Sequence, residues 1–320
     1  MIKYEHISKN YGERLILDDV SFTVKAGEIF VLVGPSGSGK TTLLKMFNRL
    51  IEPSSGEIIY NDQKIKDYNL RALRQETGYV LQSASLFPNL TVGENITLPL
   101  EQRKGFNKKE RDKVQRTVLK GVQLDPEIYL DRYPDQLSGG EAQRVGIGRA
   151  LAGNPKVVLM DEPFSALDPV VRKQLQDLVL ELQQRFNVTI IFVTHDMNEA
   201  IRMGNQIGVV HDGHLEQVGK PREILQHPAT EFVKSFFAGN GIKQSLNLET
   251  LVKSEIGVDG KYYPKTETLP HYHIYDVKDL VKACSDHPDK LFVAQTSFGD
   301  YVIEPKQVWK FLLKRVANND

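Results

Sequence analysis

Apolar positions along this chain fall into two kinds of run, and the contrast predicts its architecture. Ile2 to Val24 mixes short alternating stretches with turns, as edge or antiparallel strands do, and ends at the tight turn Ala26-Gly27-Glu28. Ile29 to Val33 and Val157 to Met160 are continuously apolar, and Val188 to Val193 is apolar but for Thr189, which predicts strands buried on both faces. Helical stretches follow at Pro169 to Arg185 and Met197 to Met203, so strand and helix alternate as they do around a parallel sheet. Thr91 to Tyr133 is richer in charge, punctuated by Leu98-Pro99-Leu100 and Asp125-Pro126, and reads as a helical insertion into this α/β core. Strand-like runs at Ile207 to Val210 and Leu215 to Val218 precede a helix from Thr230 to Phe237, which ends at Gly239-Asn240-Gly241. That turn predicts a boundary between a domain at 1–240, with its helical part at about 91–150, and a second at 241–320. The second reads as strand His271 to Tyr275, helix Val277 to Ser285, strands Lys290 to Thr296 and Tyr301 to Ile303, and helix Lys306 to Val316.

Composition narrows the function without naming it. The 320 residues are 40% hydrophobic, enough for a substantial core and about two domains. Lys plus Arg and Asp plus Glu balance at 41 each, so no global positive field advertises nucleic acid. A single cysteine, Cys284, excludes an internal disulfide, and no apolar stretch of membrane-spanning length appears. A cytosolic protein that reaches a membrane only through partners is expected. The charged stretch Glu101 to Arg116 reads as an exposed helical face, and His271 and His273 share a strand face with no further ligand cluster beside them.

The candidate chemistry follows the buried strands. Gly34-Pro35-Ser36-Gly37-Ser38-Gly39-Lys40-Thr41 is a phosphate-loop pattern between a strand and a helix, the context it requires. Its glycines let backbone N–H groups and the helix N-terminus point at phosphates, Lys40 adds a positive charge, and Thr41 would ligate Mg²⁺. Asp161 and Glu162 end an apolar strand, where paired carboxylates are costly unless metal or water uses them. Asp161 would hold Mg²⁺ through water, and Glu162 would polarise the attacking water. His195 follows another buried strand at the same expected sheet edge and can donate to a γ-phosphate. Gln82 ends the run Gly78 to Leu81 and reads equally as a group touching Mg²⁺ and water or as an ordinary loop residue. A second Ser-Gly-Gly turn, in Leu137-Ser138-Gly139-Gly140-Glu141, opens a helix whose N-terminus also favours a phosphate. One nucleotide is already served by Lys40 and its helix, so this turn is expected to serve another subunit's nucleotide.

With these motifs the chain resembles, over about residues 2–240, the ATPase subunit of an ATP-binding cassette transporter. The resemblance makes Gly34 to Thr42 the Walker A motif, Gln82 the Q-loop glutamine, Leu137 to Glu141 the signature, and Val157 to Glu162 Walker B with its catalytic glutamate. It makes Ser165 to Asp168 the D-loop, His195 the switch histidine, and Tyr11 the ring that stacks on adenine. The implied fold is a P-loop ATPase with antiparallel β and helical subdomains. The implied ligands are ATP and Mg²⁺, held in a head-to-tail dimer that drives transmembrane permease subunits from the cytoplasmic face. Glu141 departs from the commoner glutamine but leaves Ser138 intact, so no loss of activity is expected. Phe47 to Ile58, Asp131 to Gly140, Asp161 to Gln176 and Phe192 to Gly204 are similar to importer ATPases for glycine betaine, carnitine, choline and related quaternary amines. Such importers work with an extracytoplasmic substrate-binding protein; an amino acid or other small solute is the alternative cargo. A soluble cassette acting on ribosomes or DNA fits less well, because this chain has one cassette and a short insertion. Many quaternary-amine ATPases end in two cystathionine-β-synthase (CBS) repeats, whereas the residues after Gly241 have room for about one, expected either as a regulatory module paired across the dimer or as a degenerate tail that merely packs.

Overall fold

Continuous apolar runs become the centre of a six-stranded sheet. The computed structural model describes residues 1–101, 106–239, 252, 257–259, 269–274, 277–296 and 299–317, which cluster as two compact units, Met1–Asn240 and Gly241–Asp320. The first unit runs β1 (Ile2–Tyr11), β2 (Arg14–Val24), β3 (Ile29–Val33), α1 (Lys40–Phe47), β4 (Ser55–Tyr60), β5 (Gln63–Lys64), α2 (Leu70–Gln75) and β6 (Thr77–Val80). It continues through α3 (Val92–Thr97), α4 (Lys108–Gly121), α5 (Pro126–Tyr129), α6 (Gly139–Leu151), β7 (Val157–Asp161), α7 (Pro169–Phe186), β8 (Thr189–Thr194) and α8 (Met197–Met203). It closes with β9 (Gln206–His211), β10 (His214–Gly219), α9 (Pro221–Gln226) and α10 (Glu231–Gly239).

The six strands lie in the order β10-β9-β3-β8-β7-β6, parallel throughout except where β10 turns back along β9. Both β3 and β8 are buried at every position, the five apolar residues of β3 and Ile190 to Val193 of β8 together with the threonines at the ends of β8. A separate antiparallel sheet, β2-β1-β4-β5, presses one face onto this core: Tyr4 stacks on Phe22, and Phe22 on Phe30 of β3, with ring centroids 4.3 and 4.9 Å apart. Leu43, Leu44 and Phe47 on the inner side of α1 complete the same apolar cluster. The antiparallel pairing of β1 with β2 matches the alternating pattern from which it was expected.

Helices α3 to α6 form the charged insertion, and α6 is seated at both ends by glycine. A Cβ on Gly78 would stand 2.4 Å from the Ala150 carbonyl oxygen, so β6 and the end of α6 meet backbone to backbone. At its start, a Cβ on Gly140 would stand 2.6 Å from Val171 Cγ1, which seats the first turn of α6 against the first turn of α7. Gly139 is different: its nearest neighbour would be Leu167 Cδ2 at 4.0 Å.

In the second unit, β11 (Gly257–Asp259), β12 (His271–His273), α11 (Val277–Asp286), β13 (Phe292–Thr296), β14 (Gly299–Ile303) and α12 (Pro305–Ala317) build a sheet of order β11-β14-β13-β12. β12 runs parallel to β13, whereas β13 with β14 and β14 with β11 are antiparallel. Leu280, Phe292, Ile303 and Val308 are fully buried in its core together with Cys284, whose thiol is pushed up to about 11 by burial and stays protonated. From His271 onward the order is strand, helix, strand, strand, helix; β11 comes before it and has no strong pattern in the sequence. The expected strand end at Tyr275 and the Asn240-Gly241 turn lie outside the described residues. Among the described residues no helix is long and apolar enough to cross a membrane.

The glycine contacts generate a differential prediction. Gly78→Ala should lower stability by about 1–3 kcal/mol in urea unfolding, because its neighbour is backbone and cannot step aside. Gly139→Ala should leave stability unchanged or raise it by up to about 1 kcal/mol, the helix-propensity gain.

Candidate functional site

The site is assembled by strand register. Val33, the last residue of β3, pairs with Thr194, the last of β8, and Val193 pairs with Asp161, the last of β7. The three strands therefore end side by side, and residues 34, 162 and 195 leave the sheet at one edge. Gly39, at φ 101°, caps α1, so the loop before it turns directly into a helix N-terminus.

Lys40 is 4% exposed and its ammonium donates to the carbonyls of Gly34 at 2.9 Å and Pro35 at 2.6 Å, and to Ser38 Oγ at 3.2 Å. Burial pushes its pKa below the ordinary lysine range, while the charges of Glu162 and Asp161 pull the other way. Thr41 Oγ1 donates to Asp161 Oδ1 at 2.7 Å, joining α1 to the end of β7. Beside them the partly buried Tyr79 phenol is held well above its usual range, first by burial and then by the Asp161 charge, so it stays neutral. Glu162 extends the ladder by donating its N–H to the Val193 carbonyl at 2.9 Å, then takes a positive φ of 47°. Left-handed backbone at a non-glycine residue costs on the order of 1–3 kcal/mol and is frequent at functional sites. The turn brings Glu162 Oε2 to 3.0 Å from His195 Nδ1, joining two residues that the sequence placed only at a common edge.

Gln82 is exposed in the loop after β6, and that loop belongs to α6 as much as to its own strand. Gln143 Nε2 donates to the Leu81 carbonyl at 3.2 Å, and the Arg149 guanidinium donates to the carbonyls of Ala84 and Ser85, each at 2.8 Å. Further along, Asn95 of α3 accepts from the Phe87 N–H and donates to the carbonyls of Phe87, Leu90 and Thr91. Neither Arg149 nor Gln143 was expected at the site. The one available signal was polar residues on the inward face of α6, where Gln143 is 3% exposed.

The Ser-Gly-Gly turn is an N-cap with a capping box. The Glu141 N–H donates to Ser138 Oγ at 3.3 Å, and Glu141 Oε2 accepts from the Ser138 N–H at 2.7 Å. Asp168 also serves as a cap, accepting from the N–H groups of Val170 at 3.1 Å and Val171 at 3.0 Å at the start of α7. Tyr11 is half-exposed at the end of β1, with the Lys9 ammonium 4.9 Å from its ring centroid.

The ABC transporter family matches residues 17–165. A dimeric ATP-binding cassette solved in a post-hydrolysis state with ADP and Pi is 36% identical, with a TM-score of 0.62; the alignment covers 69% of this chain and 99% of that one. The chain belongs to the ABC transporter family. This ABC protein is also similar to the glycine betaine/carnitine/choline transport ATP-binding protein OpuCA of Bacillus subtilis (strain 168), at 46% identity over 246 residues, covering 77% of the chain and 64% of that protein. The osmoprotectant import ATP-binding protein OsmV of Salmonella typhimurium (strain LT2) is 44% identical over 241 residues, covering 74% and 63%. The ABC chain thus spans less than two thirds of the length of these relatives.

The clamp on the Gln82 loop can be tested directly. Arg149→Met removes two charge-assisted hydrogen bonds, so amide exchange at residues 83–90 should accelerate by about tenfold or more while β3 and β8 keep their protection. Hydrogen exchange with mass spectrometry resolves both segments.

Proposed function

We propose that this chain hydrolyses ATP in a head-to-tail pair with a second copy of itself, and that the pair powers a membrane importer. The observation that carries the reading is the register of β3, β8 and β7, which gathers Lys40, Thr41, Asp161, Glu162 and His195 at one sheet edge. Lys40 would exchange its loop carbonyls for β- and γ-phosphate oxygens, where a charge in a low-dielectric site is worth more than in water. Glu162 would orient the attacking water and take its proton, while His195, held against Glu162, donates to a γ-phosphate oxygen. Ser36, Gly37 and Ser38 offer backbone N–H groups to the phosphates, and Tyr11 offers its ring to adenine. Ser138, Gly139 and Gly140 would close on the nucleotide bound by the other copy, with Asp168 at the same junction.

The donor set fits Mg²⁺. Thr41 Oγ1 and Asp161 Oδ1, 2.7 Å apart, are hard oxygens, and among the described residues no cluster of three or more His, Cys, Asp or Glu forms a cage of its own. Sparse protein ligands completed by phosphates and water are how Mg²⁺ is usually held. Thr41 would bind it directly, Asp161 through water, and Gln82 from its loop. When bound, the ion neutralises charge on the phosphates as the γ-phosphoryl group leaves.

The cargo we favour is a quaternary amine such as glycine betaine, carnitine or choline, which the names of the similar transport ATP-binding proteins support. The chain would then sit peripherally on the cytoplasmic face, bound to transmembrane permease subunits, with an extracytoplasmic substrate-binding protein delivering solute on the far side. Residues 241–320 we read as a single CBS-like repeat that pairs with its counterpart in the second copy and regulates transport. The parallel β12–β13 pair followed by antiparallel β14 supports that reading.

Two outcomes are expected. Glu162→Gln should keep ATP binding, lose turnover by about 10²- to 10⁴-fold, and accumulate an ATP-dependent dimer in size-exclusion chromatography; wild-type hydrolysis would overturn the assignment. In proteoliposomes with the cognate permease and binding protein, ATP should drive uptake of labelled glycine betaine. Removing residues 242–320 should alter how that uptake responds to ionic strength, and an identical response would remove the regulatory reading.

A further inference from the structure

Glu141 is the third residue of α6, and its carboxylate is engaged by the groups that make the signature turn. Oε2 accepts from the Ser138 hydroxyl at 2.8 Å as well as from the Ser138 N–H at 2.7 Å, while Oε1 accepts from the Tyr129 hydroxyl at 2.5 Å. These donors, Tyr129 first and the Ser138 amide next, hold the carboxyl below its usual range, so it is an anion at neutral pH. A serine hydroxyl has one proton, and here that proton is committed to an internal anion. The commitment falls at the exposed helix N-terminus where an incoming phosphate would compete for the same donor.

A carboxylate only accepts hydrogen bonds, whereas a glutamine amide in its place accepts through oxygen and donates through nitrogen. One oxygen, Oε2, accepts from both Ser138 groups while Oε1 faces Tyr129, so glutamine at 141 would set its oxygen toward Ser138 and its nitrogen toward the Tyr129 hydroxyl oxygen. The Ser138 hydroxyl would then donate to a neutral amide, a weaker acceptor than an anion, and release its proton more readily. Glutamate strengthens that contact and adds a negative charge where a phosphate would approach.

We propose that Glu141 is a positioning residue that competes with the second copy's ATP for the Ser138 hydroxyl proton, and so sets the ATP concentration at which the two copies close. The proposal rests on the head-to-tail pairing above. It goes beyond the expectation that this glutamate causes no loss of activity.

The test uses the full chain carrying Glu162→Gln, with and without Glu141→Gln, and follows dimerisation by light scattering as ATP is raised. Glu141→Gln should lower the ATP midpoint by about tenfold, the difference between a hydrogen bond to a charged acceptor and one to a neutral acceptor. A fluorescent ATP analogue should bind the monomer equally in both, and the melting temperature without ATP should not rise. Glutamine in a capping box supports the helix no better than glutamate, so a purely structural role would leave the midpoint unchanged or raise it. An unchanged or higher midpoint overturns the proposal while leaving the pairing intact. If neither protein dimerises with ATP, the pairing reading fails and this one fails with it.

Discussion

The parallel pairing of β3 with β8 and of β8 with β7 is the constraint on which the site depends. A slip of one residue in either ladder would turn every side chain to the other face of the sheet, and both faces are buried here. The aromatic stack Tyr4-Phe22-Phe30 and the inner face of α1 hold that register from one side. Chemistry at the edge is therefore positioned by packing well away from it.

The edge itself works against stability. Lys40 is an ammonium almost out of water, Glu162 sits in a backbone region that few side chains adopt, and Asp161 lies beside a buried phenol. Each is offset locally by one specific contact: the loop carbonyls for Lys40, the Thr41 hydroxyl for Asp161, the His195 imidazole for Glu162. All three contacts use groups that a nucleotide can replace or join. The three charged groups are partnered within the chain yet by exchangeable partners, as a binding site requires.

How much of this was legible depended on whether the signal was local. Continuous apolar runs located β3, β7 and β8, and the phosphate loop and the Asp161-Glu162 pair followed from where those runs stop. Ser138 with Glu141 three residues later is a capping-box spacing, so the start of α6 could be placed to the residue. The short, half-exposed β4, the two-residue exposed β5 and the three-residue β11 carry too little periodicity to stand out. Arg149 misleads in a more instructive way. In sequence it looks like the basic residue that favours a helix C-terminus, yet its guanidinium reaches the carbonyls of Ala84 and Ser85, a choice made by tertiary packing. Likewise, nothing in the spacing of Tyr129 and Glu141 foretells their contact, because α5 and a loop must fold back before the two meet.

Helix α6 thus has two duties that cannot be separated. Its first turn presents Ser138, and its inner side grips the Gln82 loop through Gln143 and Arg149. A force on the signature turn reaches Gln82 along a helix, a nearly rigid element, and through hydrogen bonds made by a charged group. Gly140 lets that first turn lie against α7, which Asp168 caps, so the same force also reaches the segment after Glu162. In the proposed pair, communication between the two copies would then need no separate pathway. The elements that would complete one site are bonded to the elements that would read the other, and Glu141, at the junction, is placed to decide how readily the first step occurs.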